Sequence, residues 1–253
     1  MGNQGNVGPA GRSRYFQTMS LLLLALTLAG FARTLFLRPL FNVPPISTYL
    51  YLHAAVQVSW VVLFAVQTHL IGSGHAARHR SLGVPGSVLA GLVIAGSFLT
   101  VLHLPAHFKS GHLSNDTPFD IASILAVFWH NLTSLLVAGA FLATAILLRR
   151  QAQLHKRLML FATNLIVAPA VPRVAFSLGA WIKPLASPQA GVLLTVAIVV
   201  VVLPLTLIMH DLRSCRRVHP ATLIGIAGTL MQGVAGSALA ASRIGQAVFT
   251  ALE

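Results

Sequence analysis

The sequence predicts an all-α fold: a polytopic membrane helix bundle of six or seven transmembrane helices. Three observations carry the prediction. Hydrophobic residues make up 56% of the chain and charged residues 8%, whereas a soluble domain carries about 25% charged residues to stay hydrated. Apolar runs long enough to cross about 30 Å of hydrocarbon recur along the chain. The cations gather in short clusters between those runs, as membrane topology demands. The formal net charge of +13 is therefore a topology signal and not a nucleic-acid surface. A single cysteine, Cys215, excludes an intrachain disulfide.

The elements follow in order. Residues 1–18 form a polar tail, rich in Gly and Asn at its start, that is expected to be disordered and cytoplasmic; residues 19–253 form one bundle. Span 1, 19–36, follows Arg12 and Arg14 like a signal peptide, but it lacks a small-residue cleavage site and reads as an uncleaved helix. Pro44-Pro45 blocks helix, so span 2 covers 46–70. Span 3, 82–104, stops at Pro105, and a polar loop from His107 to Pro118 follows. Span 4 is 122–148, and span 5 is 158–181, kinked by Pro169 and Pro172. Span 6 is 191–209. A seventh candidate, 220–241, is the least hydrophobic, and its small residues suit close helix packing.

Cations orient the bundle. Arg12, Arg14, Arg78, Arg80, Arg149, Arg150, Lys156, Arg157, Arg213, Arg216 and Arg217 fall on one side, against Arg38, Lys109 and Lys183 on the other. The positive-inside rule places the first side, with the N-terminus, in the cytoplasm of a bacterial inner membrane.

Two stretches resemble copies of each other. One runs from His53 to the basic loop His79-Arg80-Ser81-Leu82, the other from His130 to the basic loop His155-Lys156-Arg157-Leu158. The repeat units are 46–104 and 122–181, and both enter from the same side, so the duplication is parallel. Histidine is costly in a bilayer, and its repeated placement suggests a site. At about 1.5 Å of rise per residue, His53 and His130 lie at one depth in spans 2 and 4. Two imidazoles at one level can ligate one metal ion or one haem iron. His79 and His155 open spans 3 and 5, either as headgroup-level anchors or as a second ligand pair.

Each histidine also heads a polar stripe. His53, Gln57, Trp60, Phe64 and Gln67 share one face of span 2; His130, Ser134, Phe141 and Thr144 share one face of span 4. Such stripes serve either as interhelical hydrogen-bond glue or as the lining of a ligand site. Arg173, in the outer half of span 5, needs a partner: Asp120, or an anion such as a haem propionate. Arg33 can snorkel. His103, His107 and His112 have no Cys, Asp or Glu at zinc-ligand spacing. No HExxH run or nucleophilic triad is present.

Several segments resemble a group of uncharacterised bacterial multi-spanning proteins. They are Gly30-Phe31-Ala32-Arg33-Thr34 with Leu37-Arg38-Pro39, His53-Ala54-Ala55 with Trp60 and Gln67, and His79-Arg80-Ser81-Leu82-Gly83. His155-Lys156-Arg157-Leu158-Met159 and Val218-His219-Pro220-Ala221-Thr222-Leu223 complete the set. Ala54 replaces the glycine usual in that group. The resemblance spans nearly the whole chain and implies the architecture. A looser similarity, in histidine order, is to the di-haem transmembrane cytochromes b. It implies non-covalent haem b held by His53 and His130, with His79 and His155 as a second pair and Arg173 near a propionate. The expectation is thus a haem-binding electron-transfer membrane protein, whether homo-oligomeric or with a redox partner. The alternatives are a small-molecule transporter or binding protein, and a structural membrane protein. The lipid bilayer is the expected surrounding partner.

Overall fold

A computed structural model describes residues 9–41, 46–109, 121–179 and 181–252, and no strand occurs among them. Helix α1, Pro9–Phe31, continues through a π turn, Ala32–Phe36. Then come α2 (Thr48–Gly72), α3 (Ala76–Leu102) and the short α4 (Leu104–Lys109). After them run α5 (Ile121–Leu147), α6 (Ala152–Val167) and α7 (Ala170–Gly179). Helix α8 (Pro188–Thr195) passes through a π segment, Val196–Val202, into α9 (Leu203–Cys215). The chain closes with α10 (Pro220–Ala241) and α11 (Arg243–Ala251).

Six helices are long and apolar enough to cross a membrane, and α6 with α7, bent by 45° at their break, makes a seventh if the pair is one span. The 16 residues of α6 reach only about 24 Å, short of the roughly 30 Å of hydrocarbon. Only the bent pair together has the length to cross. Counted as one span, that pair completes an alternation that puts Arg14, Arg78, Arg80, Arg149, Arg150, Arg213, Arg216 and Arg217 at one end of the bundle, all exposed. We call this the basic end.

The observed boundaries correct several expectations. The tail does not reach residue 18. Helix α1 starts at Pro9, because Pro suits a first turn and no breaker follows it, and Phe16 and Ser20 are buried. The two basic segments are not loops: His79 lies in α3, and His155 to Arg157 lie in α6. Helix α9 likewise runs on to Cys215 before Arg216 ends it in the left-handed conformation, with φ 55°. Helix α3 ends at Leu102, capped by His103, and Pro105 falls inside the first turn of α4, where proline is tolerated. Helix α11 was not anticipated at all.

Helix α6 is the centre of the core. Leu158, Leu160, Phe161, Ala162 and Leu165 are at most 2% exposed. Helix α1 packs on α2, α6 and α7; α3 packs on α2 and α5; α10 packs on α5 and α6. Lipid tails are as apolar as leucine, so tight van der Waals fit, not water exclusion, must hold such contacts. Small residues supply it. A Cβ on Gly225 would sit 2.1 Å from the Phe161 ring, and one on Gly228 would sit 2.5 Å from the Phe141 ring. Gly30 lets α1 close on α7: a Cβ there would fall 2.4 Å from the Ala170 carbonyl oxygen. Away from the basic end, α11 caps α5 by burying Phe249 against Phe128 and Trp129.

Candidate functional site

The most heavily bonded polar group in the bundle lies toward the basic end and joins three spans. Arg157 of α6 is 1% exposed and Asp211 of α9 is 0% exposed, and the two form an ion pair. Asp211 also accepts hydrogen bonds from Thr222 Oγ1 and, at 3.0 Å, from the backbone N–H of His219. Arg157 spends its remaining donors on Thr222 Oγ1 at 3.2 Å and on the backbone and side-chain oxygens of Gln153, at 2.9 and 2.7 Å. Each charge in this hub is thus paired and hydrogen-bonded, which a buried ion requires. His219 caps α10, its Nδ1 accepting the Ala221 N–H at 3.1 Å. Burial, first, and then the Arg157 guanidinium hold the His219 imidazole below its ordinary pKa.

Sequence reasoning missed this hub. It assigned Arg157 to the topological cations and gave Asp211 no partner. A signal was present in two short segments already singled out, His155 to Met159 and Val218 to Leu223, which supply Arg157, His219 and Thr222. Around the hub, Tyr15 stacks on His210 with ring centroids 4.4 Å apart, and the Lys156 ammonium lies 4.7 Å from the Phe16 ring.

The histidine stripes face two different seams. Gln57 Nε2 donates to Ser97 Oγ, and His53 Nδ1 would lie 3.6 Å from a Cβ on Gly96, so this stripe meets α3. His130 Nε2 pairs with Ser237 Oγ of α10 at 3.2 Å. Thr133 and Ser134 donate to Gln232 Oε1 at 3.3 and 3.0 Å. Among the described residues, no ring contact joins His53 to His130. Helix α3 packs on both α2 and α5, and His130 is turned to α10. The pair expected as axial ligands therefore turns to different helices, His53 to α3 and His130 to α10.

His79 and His155 do meet. Their rings lie 6.3 Å apart, nearly perpendicular at 83°. His155 Nδ1 donates to the Ala145 carbonyl at 2.9 Å, while His79 Nδ1 is buried and makes no hydrogen bond.

Arg173 sits in α7, with Nη1 donating to the Pro169 carbonyl at 2.6 Å and the guanidinium 4.8 Å from the Phe31 ring. Asp120, His112 and the loop around them lie outside the described residues. Among the described residues, Phe31 and the carbonyl next to the helix break are the partners of Arg173. Arg33 lies 5.6 Å from the Phe41 ring, and Arg38 Nη1 donates to the Thr34 carbonyl at 2.8 Å.

Irregular backbone flanks α7 and α8. Helix α6 breaks from α7 at Ala168-Pro169, and α8 passes into α9 through the π segment. The two spans are tied between those points, since Asn164 Nδ2 donates to the Val199 carbonyl at 3.0 Å. Thr163 Oγ1 and Asn164 Oδ1 beside that tie are buried without a hydrogen-bond partner.

Two open grooves mark the surface. One of roughly 450 Å³ includes His130, Ser237 and Gln246 in its lining, and one of roughly 430 Å³ includes Gln153 and His219. Neither is lined by His53, His79 or His155. Among the described residues, no group of three or more His, Cys, Asp or Glu side chains is placed to hold a metal ion. No protein-family model, curated protein or solved structure matches the chain.

Proposed function

We propose that this chain is a membrane transport protein for a small solute, in which the hairpin 170–195 moves against a fixed core. One observation carries the reading: two helix irregularities, the 45° break at Ala168-Pro169 and the π segment Val196–Val202, flank that same hairpin, one on each side. Breaks in spanning helices free backbone groups that must be re-satisfied, and transporters place them where a solute binds or a gate moves. π segments likewise concentrate at functional positions. The hairpin packs within itself, Gly191 of α8 lying against Pro172 of α7, and it rests on α1 through Gly30. Below the breaks, the Arg157–Asp211–Thr222 hub ties α6, α9 and α10 and closes the basic end. The unpartnered Thr163 and Asn164 oxygens, in α6 one turn before its break, are where a polar solute would first find hydrogen-bonding groups.

The basic end faces the cytoplasm of a bacterial inner membrane in this reading, by the cation asymmetry. Haem-based electron transfer loses its support because His53 and His130 line separate seams. The test is distance measurement between spin labels at Val192 of α8 and Leu223 of α10, both exposed, in a Cys215→Ser background. Two distance populations whose balance shifts between detergent and liposomes are expected. One narrow population under every condition would remove the hinge and the proposal with it.

A further inference from the structure

His79 and His155 come from the corresponding ends of the two similar hairpins, and the fold brings their rings together. Their centroids are 6.3 Å apart. A metal–imidazole bond is about 2 Å and a ring nitrogen lies about 1.1 Å from its centroid, so two imidazoles on opposite sides of one ion stand about 6 Å apart. His155 gives its Nδ1–H to the Ala145 carbonyl. That bond fixes the tautomer with a free lone pair on Nε2, the outer-shell arrangement typical of metal-ligating histidine. His79 has a buried Nδ1 without a hydrogen bond, and the backbone carbonyl of Gln67 lies against its ring. Both residues are partly exposed, so an ion can reach them from the basic end.

We propose that His79 and His155 bind one monovalent copper ion, Cu⁺, in a two-coordinate site. The charge of the surroundings selects the ion. Asp211, the nearest acid to this end of the bundle in the described sequence, is already committed to Arg157, Thr222 and His219. Arg78 and Arg80 flank His79, and Lys156 follows His155. Two neutral donors among cations cannot offset a divalent charge, and Zn²⁺ wants four ligands. Cu⁺ is content with two collinear nitrogen donors and carries half the charge. A lone ion needs none of the space a porphyrin would. This inference is independent of the hinge reading.

The experiment is a Cu⁺ titration of the purified full chain in detergent, under anaerobic conditions, against a chromogenic Cu⁺ chelator. One ion per chain is expected, with affinity at least tenfold lower in both His79→Gln and His155→Gln and unchanged in His53→Gln. Absence of binding overturns the site, and so does loss in only one of the two variants or loss in His53→Gln. Zn²⁺ bound as tightly as Cu⁺ overturns the assignment of the ion. X-ray absorption of the loaded wild-type protein needs no variant: two nitrogen donors are expected, and sulfur or a four-nitrogen shell refutes the geometry.

Discussion

Arg157 and Asp211 form an ion pair that the bundle buries on both sides, at 1% and 0% exposure, and that Thr222 and the His219 backbone complete. It joins α6 to α9 directly and to α10 through Thr222. Removing one charge strands the other, unpaired, in a buried site. Asp211→Ala should therefore cost about 3–5 kcal/mol and shift the protein toward aggregate on size exclusion. The double variant Arg157→Met with Asp211→Leu should recover most of that loss, read as the thermal midpoint in detergent. Equal instability of the single and double variants would show that the pair is not what holds the three spans.

His219 gives this region a pH dependence of defined sign. Its folded pKa lies below the ordinary 6.5, by burial first, then by repulsion from Arg157, Lys156 and Arg217, with Asp211 opposing. The unfolded chain therefore binds the proton more readily than the native one. Stability is fully present above pH 6.5 and falls as pH drops through the depressed folded value. Protonation also removes the Nδ1 lone pair that caps Ala221. Thermal midpoints from pH 8 to pH 5 should show the decline, and His219→Asn, which retains a capping oxygen, should flatten it. An unchanged slope in that variant would assign the decline to another group.

Gly225 and Phe161 fit as a slot and its occupant. A Cβ at 225 would lie 2.1 Å from the ring, which is held at 0% exposure in the centre of the core. Gly225→Ala should destabilise by about 1–3 kcal/mol, as overpacking does. Phe161→Leu in the same chain should recover part of the loss. The measurement is the coupling from a double-mutant cycle, and zero coupling would place the strain elsewhere.

Arg173 and Phe31 link the hairpin 170–195 to α1. A guanidinium 4.8 Å from a ring centroid is worth about 0.5–2 kcal/mol. A cycle of Arg173→Gln and Phe31→Leu should return a coupling in that range. Arg173→Lys should retain less than the wild type, because lysine cannot both lie flat on the ring and hold the Pro169 carbonyl.

The spans were legible because hydropathy sums over whole segments and does not depend on neighbours. The least hydrophobic candidate, 220–241, is α10 to the residue. Helix ends were less legible. Arg78 to Arg80 and His155 to Arg157 read as loops by charge, yet they are helical, because cations at a span's end can reach the interface while the backbone keeps its hydrogen bonds. The polar stripes were found on the correct residues, but their partners were not. Equal depth suggested that His53 meets His130, whereas rotation about each helix axis turns one to Gly96 and the other to Ser237.

By itself the sequence determined that this protein is an apolar helical bundle, where its long apolar segments lie, and which end of the bundle is basic. Those properties are sums over composition, and lipid enforces them whatever the packing. The tertiary structure alone decided which polar groups meet: Arg157 with Asp211, His79 with His155, Asn164 with the Val199 carbonyl. Partner choice depends on the rotation and approach of each helix. Those are set by contacts of a few ångströms at Gly30, Gly225 and Gly228, where a missing Cβ lets one particular neighbour in.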